Sequence, residues 1–525
     1  MLSPKSVTVL GGGITGLSAA LHLSRRLPAH SAVCINLIER SARLGGWVFS
    51  ERVQVKDAKG HEADVLLESG PRTLRPNSKA LLELIHLLDL APSILTVPRS
   101  APAARNRFLR LPSSDGLTTI PSSFISLLAS PLATILVPAV LRDVRRTSGK
   151  VLNMDSSEDE SVDAFLTRHF GAEFARTFGS ALVHGIYATD SRILSTRAAF
   201  PTLRQLEQHG NGSVVRGAFA ETFSSMRSSK LSEIPVAKGY DLGDVVDLMK
   251  GVSVYSFHNG MQTLTQSMAT HLQEQPNVNI LQRDGAQTLR KNNDHYEVTT
   301  KSGRRITSTH LLAALPLPQL HRILEDSSSS HADITALPQL PHLLENPSSS
   351  VTVVNLIFPP SSTPIHPDGF GYLIPRPSND YPASSLGMLG TVFDSSALSG
   401  QDHYPTANGN TQGKFVKLTI MLGGPYGKPS PTPSSPEFLP ALLNELQTHL
   451  GRREPLPEPC VVKIREHQDC IPTPTVGHTT RMKELAAAVK ERWGPNAAVI
   501  GAGVGGVSIG DCVESGRRAA YELSF

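Results

Sequence analysis

Near its start the chain carries a glycine-rich turn with dinucleotide-binding spacing, Gly11-Gly12-Gly13-Ile14-Thr15-Gly16. The first glycine of such a motif permits a tight turn, the second lets the backbone approach a pyrophosphate, and the third lets a helix pack closely on a sheet. An apolar run at residues 7–10 precedes the motif and a helical pattern at residues 14–26 follows it. This is the strand-turn-helix context that the motif needs. We therefore expect a bound dinucleotide here.

Two further segments favour a flavin dinucleotide. Glu39 ends the second predicted strand, 23 residues after Gly16, where a carboxylate can accept hydrogen bonds from the ribose hydroxyls of adenosine. An acidic residue there favours FAD or NAD over NADP. A second glycine pair at residues 45–46 resembles the flavoprotein amine-oxidase superfamily, and residues 67–73 have the sequence of a turn that passes beside a flavin.

A second G-x-G-x-x-G occurs near the end of the chain, at Gly501, Gly503 and Gly506. Only 19 residues follow it, too few for another helix, strand and ribose-binding acid. We expect instead a last strand and helix that return to the first domain. The N–H groups at the start of that helix would then face an electron-rich edge of the flavin.

The elements that must position these segments alternate in type, which predicts an α/β fold. Residues 6–47 are typical of a strand-helix-strand unit, and residues 252–272 of a strand, turn and helix. Residues 296–300 and 305–315 flank Ser302-Gly303 and predict a hairpin. Helical patterns dominate from residue 81 to about residue 210, and Ser/Pro-rich loops interrupt apolar strand-like runs beyond residue 326.

Length and composition exclude several classes of function. A chain of 525 residues is expected to form two or three domains. Its net charge of +4 predicts no nucleic-acid partner. The four cysteines have no C-x-x-C spacing and the 19 histidines no metal-binding pattern, so no metal is expected. The first strand-like run begins at Ser6, which leaves too few residues for a signal or transit peptide, so any targeting information is expected to be internal.

The most apolar stretch, residues 120–141, contains Pro121, Pro131 and Pro138 and is not expected to span a membrane. Kinked helices that lie in the membrane interface fit it, with three arginines at residues 142–146 at the headgroup level. A buried helical pair in a second domain is the alternative, and the residues alone leave both open.

Several longer segments resemble the oxygen-dependent protoporphyrinogen oxidases of eukaryotes, over nearly the whole chain. They include VTVLGGGITGLSAALHLSRR, IERSARLGGWVFS, LLESGPRTLRP, AARNRFLRLP, LVHGIYATDSRILSTRAAFPTL, HNGMQTL, DGFGYLIP, TIMLGG and GVGGVSIGDCVESGRRAA. The long Ser/Pro insertions look fungal. The resemblance implies a discontinuous Rossmann-like FAD domain (1–90, 250–318 and 475–525), a helical membrane-binding domain (91–249) and a mixed-sheet substrate-binding domain (319–474).

The resemblance also implies the reaction, oxidation of protoporphyrinogen IX to protoporphyrin IX by O2 with peroxide as the second product, and its site. Arg107 matches an arginine facing a propionate, and Phe370 and Leu373 match side chains that sandwich the tetrapyrrole. Gly185 matches a backbone carbonyl near the macrocycle nitrogens, and Met421 lines the same cavity. The implied FAD contacts are Gly11, Gly12, Gly13, Ile14, Thr15, Gly16, Glu39, Arg40, Trp47, Gly70, Pro71, Arg72, Thr73, Ala286, Val507, Ser508 and Ile509.

The chain departs from the family pattern at two of these segments. Ala286 stands where a valine is usual, which should matter little for a main-chain contact, and His184 stands where arginine is frequent, which removes a charge near the pocket. The resemblance implies a peripheral place on the intermembrane-space side of the mitochondrial inner membrane, and it admits a homodimer and contact with ferrochelatase. The alternatives are an amine oxidase or carotenoid desaturase on the same scaffold, or a flavin-binding partner protein without turnover.

Overall fold

The structure is a computed structural model. It describes residues 5–121, 126–127, 130–146, 159–227, 239–292, 294–328, 335–382, 384–405 and 413–525. Over these residues it contains twenty strands and seventeen α-helices, joined by short 3₁₀ and π turns.

The strands are numbered in chain order. They are β1 (Ser6–Leu10), β2 (Cys34–Ile38), β3 (Ser50–Lys56), β4 (Glu62–Glu68), β5 (Ile94–Pro98), β6 (Phe108–Arg110), β7 (Leu117–Thr119), β8 (Val252–Phe257), β9 (Val278–Leu281), β10 (Ala286–Asn292), β11 (His295–Thr300), β12 (Arg305–Ser308), β13 (His310–Ala313), β14 (Thr335–Ala336), β15 (Ser348–Phe358), β16 (Gly371–Leu373), β17 (Met388–Val392), β18 (Val416–Gly423), β19 (Val461–Pro472) and β20 (Ala497–Val499).

The helices are numbered in the same way. They are α1 (Ile14–Arg26), α2 (Lys79–Leu87), α3 (Pro102–Arg105), α4 (Ala133–Val144), α5 (Val162–Phe170), α6 (Ala172–Phe174), α7 (Ser180–Tyr187), α8 (Thr196–Ala199), α9 (Pro201–His209), α10 (Val214–Arg227), α11 (Val245–Leu248), α12 (Gln262–Gln273), α13 (Leu317–Ser328), α14 (Asp394–Leu398), α15 (Phe438–His449), α16 (His478–Ala488) and α17 (Ile509–Glu522).

A five-stranded parallel sheet, in the order β20-β13-β1-β2-β9, carries the glycine turn. Its inner strands β13, β1 and β2 are almost entirely buried, as expected of parallel strands that are covered by helices on both faces. In β1, Val7 and Val9 pack in the core on the side of α1, and Leu10 packs in the core on the other side. The strand and helix expected at the end of the chain do return here: β20 pairs with β13, and α17 packs against α1.

A seven-stranded mixed sheet, in the order β19-β15-β18-β17-β16-β6-β7, forms the second layer. Only the β16–β6 pairing is parallel. The pairing draws β6 and β7 into this sheet, although both lie in the range 91–249 that the sequence predicts as a helical block. Short strands of three residues carry too little periodicity to be recognised alone. The domain boundaries themselves stay a prediction.

The remaining strands form smaller sheets. The expected hairpin is confirmed, because β11 and β12 pair antiparallel within a sheet ordered β12-β11-β10-β14. The pairs β3–β4 and β5–β8 form two separate antiparallel two-stranded sheets.

Helices α4 to α10 occupy most of the described part of the range 133–227. Among the described residues, no helix is both long enough and apolar enough to cross a membrane. Part of the apolar stretch 120–141 lies outside the described residues, and its residues from 133 onward lie in α4, with Pro138 inside the helix.

Candidate active site

The glycine turn has the geometry that a dinucleotide needs. Gly11 follows β1 with φ +97°, and a Cβ on Gly16 would lie 1.9 Å from the Gly11 carbonyl oxygen, so α1 could not start so close to the turn. Gly13 differs, because an added Cβ would meet no protein atom within 4 Å. The space beside Gly13 is therefore open and fits a pyrophosphate.

Glu39 lies directly after β2, as the sequence predicts. Its Oε2 accepts a hydrogen bond from Gly12 N at 2.7 Å, and its Oε1 accepts one from Ser41 N at 2.7 Å. Each carboxylate oxygen keeps a second lone pair that can accept from a ribose hydroxyl. Arg40 packs beside the start of β10. The two segments are so close that a Cβ on Gly285 would lie 2.8 Å from Arg40 Cβ. The structure thus brings Arg40 and Ala286 together beside Glu39, where the sequence predicts the adenosine part of the dinucleotide.

The second glycine pair lies against the first. Gly45 (φ +104°) forms an isolated bridge with Gly13, and a Cβ on Gly46 would lie 3.3 Å from Gly13 Cα. Arg43 holds this loop by donating to the carbonyl oxygens of Leu44 and Val48, at 3.0 and 2.8 Å. The Trp47 side chain is 46% exposed, which leaves its ring available to a cofactor.

The loop after β4 completes this edge of the site. A Cβ on Gly70 would lie 2.6 Å from the Trp47 carbonyl oxygen, so the two segments touch. Pro71 is exposed and Thr73 half-buried, whereas Arg72 is buried and its Nη1 lies 3.3 Å from Asp394 Oδ1. An arginine so deeply buried anchors the loop to the second layer of the protein.

Helix α17 and the loop before it pack against the first turn of α1. A Cβ on Gly501 would lie 3.7 Å from Thr15 Oγ1, and one on Gly516 would lie 2.4 Å from the Thr15 carbonyl oxygen. Ser508 caps α17 by a reciprocal pair of hydrogen bonds with Asp511. Val507 and Ile509 flank this cap, so the three residues lie at the N-terminus of the helix that packs against α1, and their contact with FAD stays a prediction.

Two of the predicted substrate residues, Leu373 and Met421, share one face of the seven-stranded sheet. Directly opposed residues of antiparallel neighbours project to the same face. The register opposes Leu373 to Gly390, Gly390 to Met421, and Met421 to Val353. Leu373 and Met421 therefore lie on one face, and Met421 packs there against Val351 and Val353.

Helix α7 packs against β16 and β17 of this sheet. Arg107 lies directly before β6, the strand next to β16. A Cβ on Gly185 would lie 2.7 Å from Leu373 Cδ2, so a side chain there would displace the Leu373 side chain. Gly185 lies in the last turn of α7, where carbonyls lack an intrahelical donor, and no described residue donates to its carbonyl oxygen. Arg107 is exposed, with its guanidinium 5.9 Å from the centroid of the Phe370 ring.

His184, one residue before Gly185, is buried and hydrogen-bonded on both ring nitrogens. Nδ1 lies 2.7 Å from the Ile374 carbonyl oxygen and Nε2 lies 2.9 Å from Tyr381 Oη. Burial lowers the pKa of His184 to about 4, against a smaller opposing effect of the Ile374 hydrogen bond. The imidazole is neutral at physiological pH, consistent with the expected loss of a charge near the pocket.

A buried polar layer beneath the Arg72 loop was not predicted. Thr419 Oγ1 donates to Asp394 Oδ2 at 2.5 Å, Asn355 Nδ2 donates to Thr419 Oγ1 at 2.7 Å, and Arg465 Nη1 donates to Asn355 Oδ1 at 2.6 Å. These residues come from distant strands and form no local motif, so a single sequence carries no signal for them.

Glu68, at the end of β4, belongs to the same layer. Its carboxylate accepts from Met261 N and Ser50 Oγ, both at 2.8 Å. Burial raises the pKa of Glu68 to about 7, although these hydrogen bonds oppose the rise. The layer thus contains a carboxyl group that titrates near neutral pH directly before the cofactor loop.

Comparisons with known proteins agree with this geometry. Residues 14–524 match the family model of flavin containing amine oxidoreductases. The protoporphyrinogen oxidases of Schizosaccharomyces pombe and Homo sapiens are each 31% identical, over 99% of this chain and 98% of theirs. A solved structure from Exiguobacterium sp. 255-15 has a TM-score of 0.71 at 20% identity, with 99% of both chains covered, which supports the fold.

The parallel sheet, its glycine turn and the Gly45-Gly46 loop define a flavin-dependent oxidoreductase, and the expected cofactor class is thereby confirmed. The chain belongs to the flavin-containing amine oxidoreductases and, within them, to the protoporphyrinogen oxidase family.

Proposed function

We propose that this chain is an FAD-dependent oxidase that converts protoporphyrinogen IX to protoporphyrin IX, with O2 as acceptor and hydrogen peroxide as the second product. The observation that carries this proposal is the single sheet face with Leu373 and Met421 at its centre and the Arg107–Phe370 pair at one end. A flat apolar wall with a cation at its end suits a flat macrocycle that carries carboxylates.

A bound flavin supplies the redox chemistry, because it accepts two electrons as a hydride and passes them to O2. The residues of the protein bind the substrate and orient it relative to the flavin. Phe370, Leu373 and Met421 contact the macrocycle and exclude water, and Arg107 holds a propionate. The Gly185 carbonyl can accept a hydrogen bond from a pyrrole N–H, since it has no donor among the described residues.

Anaerobic reduction tests this proposal. Protoporphyrinogen IX is added without O2 to the FAD-loaded protein, and the visible absorption of the flavin should be lost. Admission of O2 should restore it with formation of peroxide and porphyrin. Reduction by simple amines but not by porphyrinogen would indicate an amine oxidase. An oxidised spectrum with every donor would favour a flavin-binding partner protein.

Helix α4 supports a peripheral membrane site for the protein. Val137, Val140, Leu141 and Val144 are 37% to 46% exposed, and their spacing places them on one stripe of the helix. Arg142 and Arg145 are exposed beside the stripe. An exposed apolar stripe with adjacent cations suits the interface of an anionic membrane. We propose that this membrane is the mitochondrial inner membrane, at its intermembrane-space side, which is the location that the family resemblance implies. A homodimer and contact with ferrochelatase stay predictions.

A further inference from the structure

His467 connects the edge strand of the substrate sheet to two segments of the cofactor site. Its Nε2 lies 2.8 Å from the Ser69 carbonyl oxygen and 3.2 Å from Ser69 Oγ, immediately before the Gly70 loop. Its ring meets the Trp47 ring edge-on, with centroids 5.3 Å apart and planes at 77°. Ser69 and Trp47 are far apart in sequence from β19, so only the fold makes this junction.

Strand register places His467 on the face that carries Met421. In β15, Val351 opposes His467 of β19, and Val353 opposes both Arg465 of β19 and Met421 of β18. Directly opposed residues, and residues two apart along a strand, share a face. His467 therefore lies at the border between the substrate wall and the cofactor segments.

Hydrogen bonding and nearby charge determine the protonation state of the His467 imidazole. Because a carbonyl oxygen can only accept, the Nε2 of His467 carries the proton. Burial lowers the pKa of His467, the Ser69 hydrogen bond opposes this, and the charge of Arg465 lowers it further. Arg465 is itself paired with Glu51, which also pairs with Lys463 at 3.0 Å. The ring is thus a neutral donor held in one orientation.

We propose that His467 is a positioning residue for the flavin. By holding Ser69 and Trp47 against β19, it sets the position of the cofactor segments relative to the substrate wall. The inference rests on the flavin-dependent function proposed above, and it concerns a residue outside the matched motifs of the cofactor site.

Three substitutions separate the contributions of the side chain. His467→Ala removes the hydrogen bond and the ring, His467→Phe keeps a ring against Trp47, and His467→Gln keeps an N–H donor for Ser69. Glu466→Ala is the matched control, because Glu466 is exposed and lies on the opposite face of the same strand. Each apoprotein is titrated with FAD, and the bound flavin spectrum is recorded. The kcat and KM for porphyrinogen are then measured on each FAD-loaded variant.

His467→Ala should weaken FAD binding about tenfold, the combined effect of one hydrogen bond and one aromatic contact. It should also shift the visible flavin bands and lower kcat with little change in KM, because the loosened cofactor moves relative to substrate that still binds. His467→Gln should recover most of the FAD affinity and His467→Phe less. The control should match the wild type.

Wild-type FAD affinity and flavin bands in His467→Ala would overturn the proposal. Should that variant not fold, equal FAD affinity and spectra in the Gln and Phe variants would overturn it instead. These results differ from failure of the proposed function itself, in which the wild-type apoprotein would bind no FAD or the loaded protein would not be reduced by porphyrinogen.

Discussion

At the residue scale, the glycines of the cofactor turn serve different physical purposes. A side chain on Gly16 would collide with the Gly11 backbone, whereas a side chain on Gly13 would enter open space. The backbone at Gly13 has φ −73° and ψ 179°, which any residue can adopt. Gly16 is therefore needed for packing, and Gly13 is needed only if a ligand occupies the space beside it.

Gly13→Val and Gly16→Val should consequently fail in different ways. Gly13→Val should fold with a Tm close to that of the wild-type apoprotein and retain no FAD, because the valine fills the pyrophosphate space. Gly16→Val should lose folding itself. Thermal unfolding by circular dichroism and flavin absorbance of the purified proteins measure both effects. Stoichiometric flavin in Gly13→Val would contradict the cofactor site.

Arg107 is poised to bind an anion, because it is exposed and has no carboxylate partner among the described residues. Arg107→Ala should leave folding and flavin content unchanged. It should lower kcat/KM for porphyrinogen about tenfold to a hundredfold, the loss of one charge-assisted contact of about 1.5 to 3 kcal/mol. Arg107→Lys should recover only part, since a point charge cannot hold a carboxylate bidentately.

A porphyrinogen with esterified propionates provides the control for Arg107. The ester should bind wild-type protein less well than the acid does, and Arg107→Ala should add little further loss. Equal losses from the substitution with ester and acid would show that Arg107 does not bind the propionate.

At the element scale, α4 has two faces that the sequence alone does not separate. One face buries Ala139 and Asp143 against neighbouring helices. The other exposes the apolar stripe of Val137, Val140 and Leu141, continued by Val144. The sequence left open whether this segment is buried core or interfacial. In the structure two of the twelve residues of α4 are buried and seven are exposed.

The double variant Val140→Asp/Leu141→Asp should weaken binding to anionic liposomes severalfold, because it places charge in the apolar stripe. Flotation or cosedimentation with cardiolipin vesicles measures this, and added salt should weaken binding of the wild type. Gln205→Asp/Gln208→Asp is the matched control, since these residues are exposed on α9 and receive the same charges. If both double variants lose binding equally, net charge rather than the stripe is responsible.

At the scale of the whole molecule, a buried ionic cluster joins the helices outside the two sheets. His169 is fully buried on α5, with Nδ1 against Asp143 of α4 and Nε2 3.2 Å from Glu207 Oε1 of α9. Asp143 Oδ2 also accepts from Ser213 Oγ at 2.7 Å, and Arg168 Nη1 pairs with Glu207 at 2.6 Å. Glu160 and Arg204 complete the cluster.

This cluster should make the protein sensitive to acid. Burial alone would raise the pKa of Glu207, but hydrogen bonds from His169 and Arg168 outweigh it and lower the pKa from its usual 4.5 to about 2. A carboxyl with a lowered folded-state pKa stabilises the fold above its unfolded pKa, and this stabilisation is lost as pH falls toward the folded value. Stability from Glu207 should therefore decline from about pH 4.5 to pH 2.

Glu207→Gln should lower the free energy of unfolding at neutral pH by about 3 kcal/mol, because it removes the carboxylate that pairs with the half-buried Arg168 and Arg204. The difference from the wild type should shrink as pH falls below 4.5. Denaturant unfolding between neutral and acid pH tests this, with Glu274→Gln as an exposed carboxylate control. A difference that stays constant with pH would show that the charge of Glu207 does not stabilise the fold.

Local patterns determined much of this protein from sequence alone. The strand-turn-helix of residues 6–26, the Glu39 position and the β11–β12 hairpin depend on spacing within a few tens of residues, which one sequence displays. The longer motifs indicated the family, and the family match confirms it. The predicted cofactor and substrate residues form two groups that adjoin in the structure, while their individual roles stay predictions.

Contacts between distant segments could be decided only by the tertiary structure. His467, Asp394 and Asn355 are isolated polar residues in the sequence, and they join the cofactor loop only because β19, α14 and β15 meet beneath it. The recruitment of β6 into the substrate sheet has the same cause. Strand order, register and burial arise from packing of the whole chain, and therefore no local pattern of residue types encodes them separately.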